Sequence, residues 1–266
     1  FNLMATPARE YPDLPDVDAV AGASLQSKVL RDMLNRSSFA VSTNENKPIL
    51  TGSLFEINED VLTIVAVDSY RLAMRRETCR NIRGGAFSFV VPGDTLRELS
   101  RILPETEDET TVFPDRKHAM FRFDRTIVTT RLLEGEFLNY KSVIPDSLPI
   151  SLKVSTSDII DSVERVSLII SERLKNPVRC LFDGDALRLT CVTALGRSYD
   201  ECPIPFCPDP VEIGFNNRYL LDALKACPDD ECLLQIKASL SPCILRPLEG
   251  DAYLYLVLPV RLKAGE

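Results

Sequence analysis

The residues best suited to chemistry are few. Eight cysteines and one histidine, His118, are the soft ligands and nucleophiles of this 266-residue chain. No C-x-x-C pair occurs. The tightest spacings are Cys202 with Cys207 and Cys227 with Cys232, and His118 is far from both, so no zinc or redox motif is spelled out. Cys180 and Cys191 lie inside apolar runs, where a free cysteine behaves as a small buried hydrophobe, and the reading is of reduced thiols in the cytoplasm. His118 precedes Ala119-Met120-Phe121 and has no G-x-S-x-G elbow to serve, so a surface or core role is expected. Asp68-Ser-Tyr-Arg71 could set an acid beside a cation in an active site, and reads more simply as a strand-end ion pair or turn. Glu105, Glu107, Asp108 and Glu109 crowd a turn-like stretch without a histidine, which suits a solvated loop better than a metal. Neither glycine-rich phosphate loop is present. No catalytic residue, metal or cofactor is expected, and an α+β enzyme is the weakest class of function.

The elements that must carry these residues follow from periodicity. Apolar spacing predicts helices over Ser24–Ala40 with Ser24 as N-cap, Gly93–Leu103, Ser157–Ile170 and Asn216–Ala226. Strand patterns cover Gly52–Ile57, Val61–Val67, Ser69–Met74, Phe87–Pro92, Thr110–Pro114, His118–Phe123 and Thr126–Leu133. Further strands are expected at Val178–Asp183, Ala186–Thr193, Glu212–Phe215, Cys232–Lys237, Cys243–Pro247 and Ala252–Pro259. Hairpin turns fall at Asn58-Glu59-Asp60 and Asp183-Gly184-Asp185. Phe1–Ala5 reads as the end of a strand with partners upstream, which suggests a fragment, and Pro7–Pro15 as an extended connector.

The second half repeats the order of the first. Leu54-Phe55-Glu56 matches Leu181-Phe182-Asp183, and Phe87–Pro92 matches Val211–Asn216. An offset of roughly 125 residues is a whole-domain duplication, since solenoid repeats are far shorter. The expectation is an α+β fold of duplicated domains over 19–147 and 148–266, after a leading segment 1–18, with antiparallel sheets and helices on one face. Composition is globular, at 45% hydrophobic and 26% charged, and no apolar run is long enough to cross a bilayer as a helix. A net charge of −8 argues against a basic nucleic-acid-binding surface over the whole molecule, although a local basic face can still meet DNA.

Four longer motifs go further. Phe55-Glu56 with Thr63–Ala73, Arg131–Tyr140 with Val143-Ile-Pro145, Glu212–Tyr219, and Tyr255–Leu262 resemble, in order and spacing, motifs of the bacterial DNA polymerase III beta subunits, the sliding clamps. The resemblance spans nearly the whole chain, as the last strand of the family's first domain followed by its central and C-terminal domains. It implies a non-catalytic processivity factor: a head-to-tail homodimeric ring around duplex DNA, with sheets outside and two helices per domain on the inner face. Its implied partners are sequence-independent duplex DNA, the polymerase III alpha subunit, the clamp loader and other clamp-binding proteins. DNA-facing candidates on the helices are Lys28, Arg31, Arg97, Arg101, Arg165, Arg218 and Lys225. The family's peptide pocket, carried over by motif, comprises Leu50, Val67, Ser69, Tyr70, Arg71, Leu72, Leu138, Val143, Asn216, Tyr219, Leu240, Pro242, Leu256, Val257, Leu258, Pro259, Val260, Arg261 and Leu262. Leu138 stands where a proline is frequent, Ser142 where some members have arginine, and Tyr70 at a common histidine position; these departures bear on which peptide is preferred. With the first domain outside the sequence, this chain alone is not expected to close the ring. The alternative is a truncated peptide-binding module without ring function.

Overall fold

The computed structural model describes residues 1–11, 17, 20–171 and 176–262. The first repeat contains β1 (Gly22–Gln26), α1 (Ser27–Ser37), β2 (Gly52–Asn58), β3 (Val61–Val67), β4 (Arg71–Thr78), β5 (Arg80–Arg83), β6 (Phe87–Pro92), α2 (Gly93–Ile102), β7 (Glu109–Pro114), β8 (His118–Phe123) and β9 (Thr126–Arg131). The second contains β10 (Ile150–Ser155), α3 (Thr156–Ser167), β11 (Val178–Thr193), β12 (Gly196–Phe215), α4 (Asn217–Ala226), β13 (Glu231–Ile236), β14 (Cys243–Arg246) and β15 (Tyr253–Val257). All strand pairings among the described residues are antiparallel. The duplication is visible in the pairing itself. Ile57 opposes Phe87 and Gly52 opposes Pro92, just as Phe182 opposes Val211 and Val178 opposes Phe215.

An eight-stranded sheet, β10-β13-β14-β15-β4-β3-β2-β6, runs through both repeats and is joined where Tyr253–Val257 pairs with Arg71–Arg75. A five-stranded sheet, β5-β1-β7-β8-β9, closes the first repeat, and β11 pairs with β12 in the second. Strand alternation sorts side chains onto two faces. Phe55, Ile57, Leu62 and Ile64 join Leu30, Leu34, Leu96 and Leu99 beneath α1 and α2. Tyr253, Tyr255 and Val257 join Ile159, Val163, Leu220 and Leu224 beneath α3 and α4. On the opposite face Leu54, Val65, Val67, Leu72, Leu254 and Leu256 are covered by Tyr140 and the partly buried Phe137, Leu138, Ile144 and Leu148 of the connector. The four α-helices among the described residues therefore lie on one side of the shared sheet, α1 packing on α2, α3 on α4, and α4 touching α1.

Several expected elements differ. Ser24 caps no helix: it belongs to β1, its hydroxyl 3.1 Å from that of Thr111, and α1 begins at Ser27. Leu25 fits a helical and a strand period equally, so the pattern ran through the junction. Phe1–Ala5 is exposed and pairs with no described strand, which leaves the expectation of partners upstream untested. Ala8–Glu10 makes a 3-10 turn within the expected connector, whose Pro12–Pro15 lies outside the described residues. The Asp183-Gly184-Asp185 turn lies within β11, whose register with β12 breaks on both sides of Gly184 at φ +59°. Asn176 Nδ2 donates to the Val192 carbonyl at 2.9 Å, across almost the full length of the element. A straight strand would separate those residues by ~50 Å, so β11 must double back at this turn.

Candidate functional site

The chain passes from β3 to β4 through Asp68, Ser69 and Tyr70 at the junction of the repeats. Asp68 Oδ1 accepts the amide hydrogens of Tyr70 at 2.7 Å and Arg71 at 3.0 Å, an Asx turn, and Oδ2 accepts from Arg71 Nε at 3.0 Å. Arg71 Nη1 donates to Asp222 Oδ2 of α4 at 2.5 Å. Its Cζ lies 4.5 Å from the centroid of the Tyr219 ring and 5.4 Å from that of Phe39. Two carboxylates and two aromatic faces thus fix a guanidinium whose side chain is only 11% exposed. Tyr70 stacks on Tyr219 with centroids 5.7 Å apart and remains 56% exposed. Asn216 caps α4 by accepting the Tyr219 amide hydrogen at 3.2 Å, which positions that ring.

A cavity of about 640 Å³ opens here, walled by Val41–Asn44, Asp68–Arg71, Ile170 and Ser171, and Asn216–Tyr219, and so by both repeats. Beyond β15 the chain crosses the turn as an arm. Leu258 donates its amide hydrogen to the Tyr70 carbonyl at 2.8 Å, and Val260 to that of Gly214 at 2.7 Å. A Cβ on Gly214 would meet Leu262 Cδ2 at 2.5 Å and the Val260 oxygen at 2.8 Å, so the close approach of the arm requires glycine.

The sequence candidates divide between two faces. Ser69, Tyr70, Arg71, Asn216 and Tyr219 line the cavity. Val67, Leu72 and Leu256 are buried in the apolar seam on the face away from the helices, Leu138 covers that seam, and Val143 beside them is exposed. Leu50 is buried in the 3-10 turn before β2. Leu240, Leu258, Val260 and Arg261 are exposed, while Pro242, Pro259 and Leu262 are half-buried. Val257 does not line the site: strand alternation turns it, fully buried, into the core beneath α3 and α4. Sequence reasoning missed Phe39, Asn44, Gly214 and Asp222. Asp222 had a usable signal, since it lies three residues after Tyr219 on one helical face.

The helix cations are mostly paired. Lys28 and Arg31 bind Glu107 and Glu105 at 2.7 and 2.9 Å, and Arg101 binds Glu98 at 2.8 Å. Arg97 pairs with Asp94, Arg165 with Asp200 and Lys225 with Glu164, while Arg218 has no ion-pair partner among the described residues. The Lys28 ammonium holds the Glu107 carboxyl below its usual range. Together the helices carry eight Lys/Arg against seven Asp/Glu, a net of +1 against −8 for the chain, so the excess negative charge lies elsewhere. All eight cysteines are free and buried, and among the described residues no group of three or more His, Cys, Asp or Glu could hold a metal. No helix among the described residues is long and apolar enough to cross a membrane.

Duplicated antiparallel α+β domains, a layer of helices on one side and a cleft at the domain junction define a clamp-type architecture. Residues 24–139 match the central domain of the DNA polymerase III beta subunit, and residues 141–261 its C-terminal domain. The chain is 30% identical over 263 residues to the beta sliding clamp of Staphylococcus aureus, covering 98% of this chain and 70% of that protein. It is 34% identical over 268 residues, with the same coverage, to that of Halalkalibacterium halodurans. The crystal structure of the Bacillus subtilis sliding clamp superimposes with a TM-score of 0.93 at 26% identity, over 97% of this chain and 69% of that one. A DNA polymerase III beta subunit from Eubacterium rectale gives 0.92 at 26% identity, over 98% and 70% of the two chains. The chain belongs to the DNA polymerase III beta subunit family, the sliding clamps of DNA replication.

Proposed function

We propose that this chain acts, without catalysis, as a cytoplasmic processivity clamp whose junction cleft docks short peptide segments of the replicative polymerase, the clamp loader and other clamp-binding proteins. The observation that carries the reading is the convergence of both repeats on the fixed Arg71, beside the exposed Tyr70 and the Leu258–Leu262 arm. Apolar walls supply burial and the few polar groups fix a peptide's direction. Residues 19–147 and 148–266 are the central and C-terminal clamp domains in this reading, with 1–18 leading into them. The helix layer faces duplex DNA in a homodimeric ring. Cations already held by local carboxylates suit a sliding contact, because a ring that encloses DNA needs little affinity for its phosphates.

Titrating a fluorescent Gln/Leu/Phe-containing clamp-binding peptide tests the docking site. Saturable binding, weakened about tenfold or more in Arg71→Ala and in Leu258→Ala, is expected, because one change removes the fixed guanidinium and the other an exposed apolar side chain that the peptide would cover. Binding that is absent in the wild type, or indifferent to both substitutions, rules the assignment out. The alternative, a peptide-binding module without ring function, shares the docking result and differs in behaviour on DNA.

A further inference from the structure

A second cavity, of about 330 Å³, opens on the face of the shared sheet away from the helices, at the opposite end of the β4–β15 seam from the Tyr70 turn. Its charged lining is Glu56, Glu59 and Asp251 against Arg76, Lys141 and Arg246. Most of these groups are already matched. Glu56 accepts from the Tyr140 hydroxyl at 2.7 Å and pairs with Lys141 at 3.4 Å, and Arg76 pairs with Asp251. Glu59 is exposed at the β2–β3 turn. Arg246, on β14, is the unmatched cation: its side chain has no hydrogen bond or ion pair among the described residues, and its Nε is sealed from solvent without an acceptor. A half-buried guanidinium without a counter-charge is costly, and its terminal nitrogens, which are not sealed in this way, are the donors an outside anion can reach.

We infer that this outer cavity is a carboxylate-binding subsite, with Arg246 as the principal ligand and Lys141 at its rim, that accepts an Asp or Glu side chain from an acidic segment of a partner protein. A carboxylate fits better than a phosphate. The planar guanidinium fork matches a planar carboxylate, and the three carboxylates already in the wall repel a dianion more strongly than a single negative charge. The subsite rests on the docking reading above only for how the partner arrives. Leu72 in the seam and Arg76 in this cavity are four residues apart on β4, about 13 Å, which an extended partner chain covers in roughly four residues.

The test needs no docking motif. The backbone amide resonances of β14, present in every variant, are followed by nitrogen-15 NMR while the whole chain is titrated with a capped Gly-Glu-Asp-Glu-Gly peptide, and separately with inorganic phosphate. A saturable shift with the peptide is expected, with affinity lowered about tenfold in Arg246→Gln and several-fold in the rim variant Lys141→Gln, and unchanged in Arg125→Gln on a distant turn. No saturable shift, or equal affinity in Arg246→Gln, overturns the subsite, and a phosphate response matching the peptide's overturns its assignment to carboxylates. Failure here leaves the Arg71 and Leu258 result untouched, and the reverse also holds.

Discussion

At the scale of single residues, burial decides more than chemical type. The eight cysteines read as small hydrophobes in the sequence, and all of them are buried. Burial also pushes the thiols of Cys180 and Cys243 well up, so neither forms an attacking thiolate at neutral pH. A disulfide reagent is therefore expected to label none of the eight rapidly in the native protein and all of them after denaturation; rapid native labelling would contradict this packing. Gly214 is constrained by space rather than by φ. Gly214→Ala should lower stability by about 1–3 kcal/mol, as overpacking does, and loosen the Leu258–Leu262 arm. Thermal unfolding at an unchanged midpoint would show that the arm does not rest there. Asp68 with Arg71 was legible as a local turn, because both ends of the contact lie within four residues. Asp222, 151 positions away, completes the same guanidinium only once the repeats are folded together.

At the scale of elements, the helices were legible because their apolar periodicity is strong, and their ends moved only by a few residues. The strands were less so. β12 carries Pro203, Pro205, Pro208 and Pro210, a composition that argues against a ladder, and it is tolerated where β12 pairs with β11 and has no second strand beside its prolines, only the Val260 bridge at Gly214. β10 and the four-residue β5 escaped notice, as did β1, whose pattern merges with α1. The β4–β15 seam could not be read at all, since register between distant strands leaves no local mark. It has a measurable consequence. Tyr253 and Tyr255 of β15, and Tyr140 above the seam, have hydroxyls pushed above their ordinary pKa, chiefly by burial. A group whose folded pKa is raised stabilises the fold fully below the unfolded value, and that contribution is lost as pH rises through the folded one. In a native ultraviolet titration to about pH 11, these three of the seven tyrosines should stay un-ionised and then ionise together on alkaline unfolding. Smooth ionisation of all seven in the folded protein would contradict the burial of the seam.

At the scale of the whole molecule, the shared sheet joins the two repeats and gives them two distinct faces. One is a helix layer with a net charge of +1, and the other carries the apolar seam and the outer cavity, with the proposed docking cleft at the junction of the repeats. The duplication and the α+β class were legible in the sequence, because every repeat preserves the same order of patterns. Which side of the shared sheet each alternate residue takes was not, since it is decided by pairing between distant strands. The two functional readings part at this scale, because a ring is held on DNA by topology and a docking module is not. The deciding measurement is retention of the gene's full product, after loading, on closed circular DNA before and after a single restriction cut. Retention on the circle, with release on linearisation, is the result expected of a sliding clamp. Equal retention on both forms, or none on either, would contradict it.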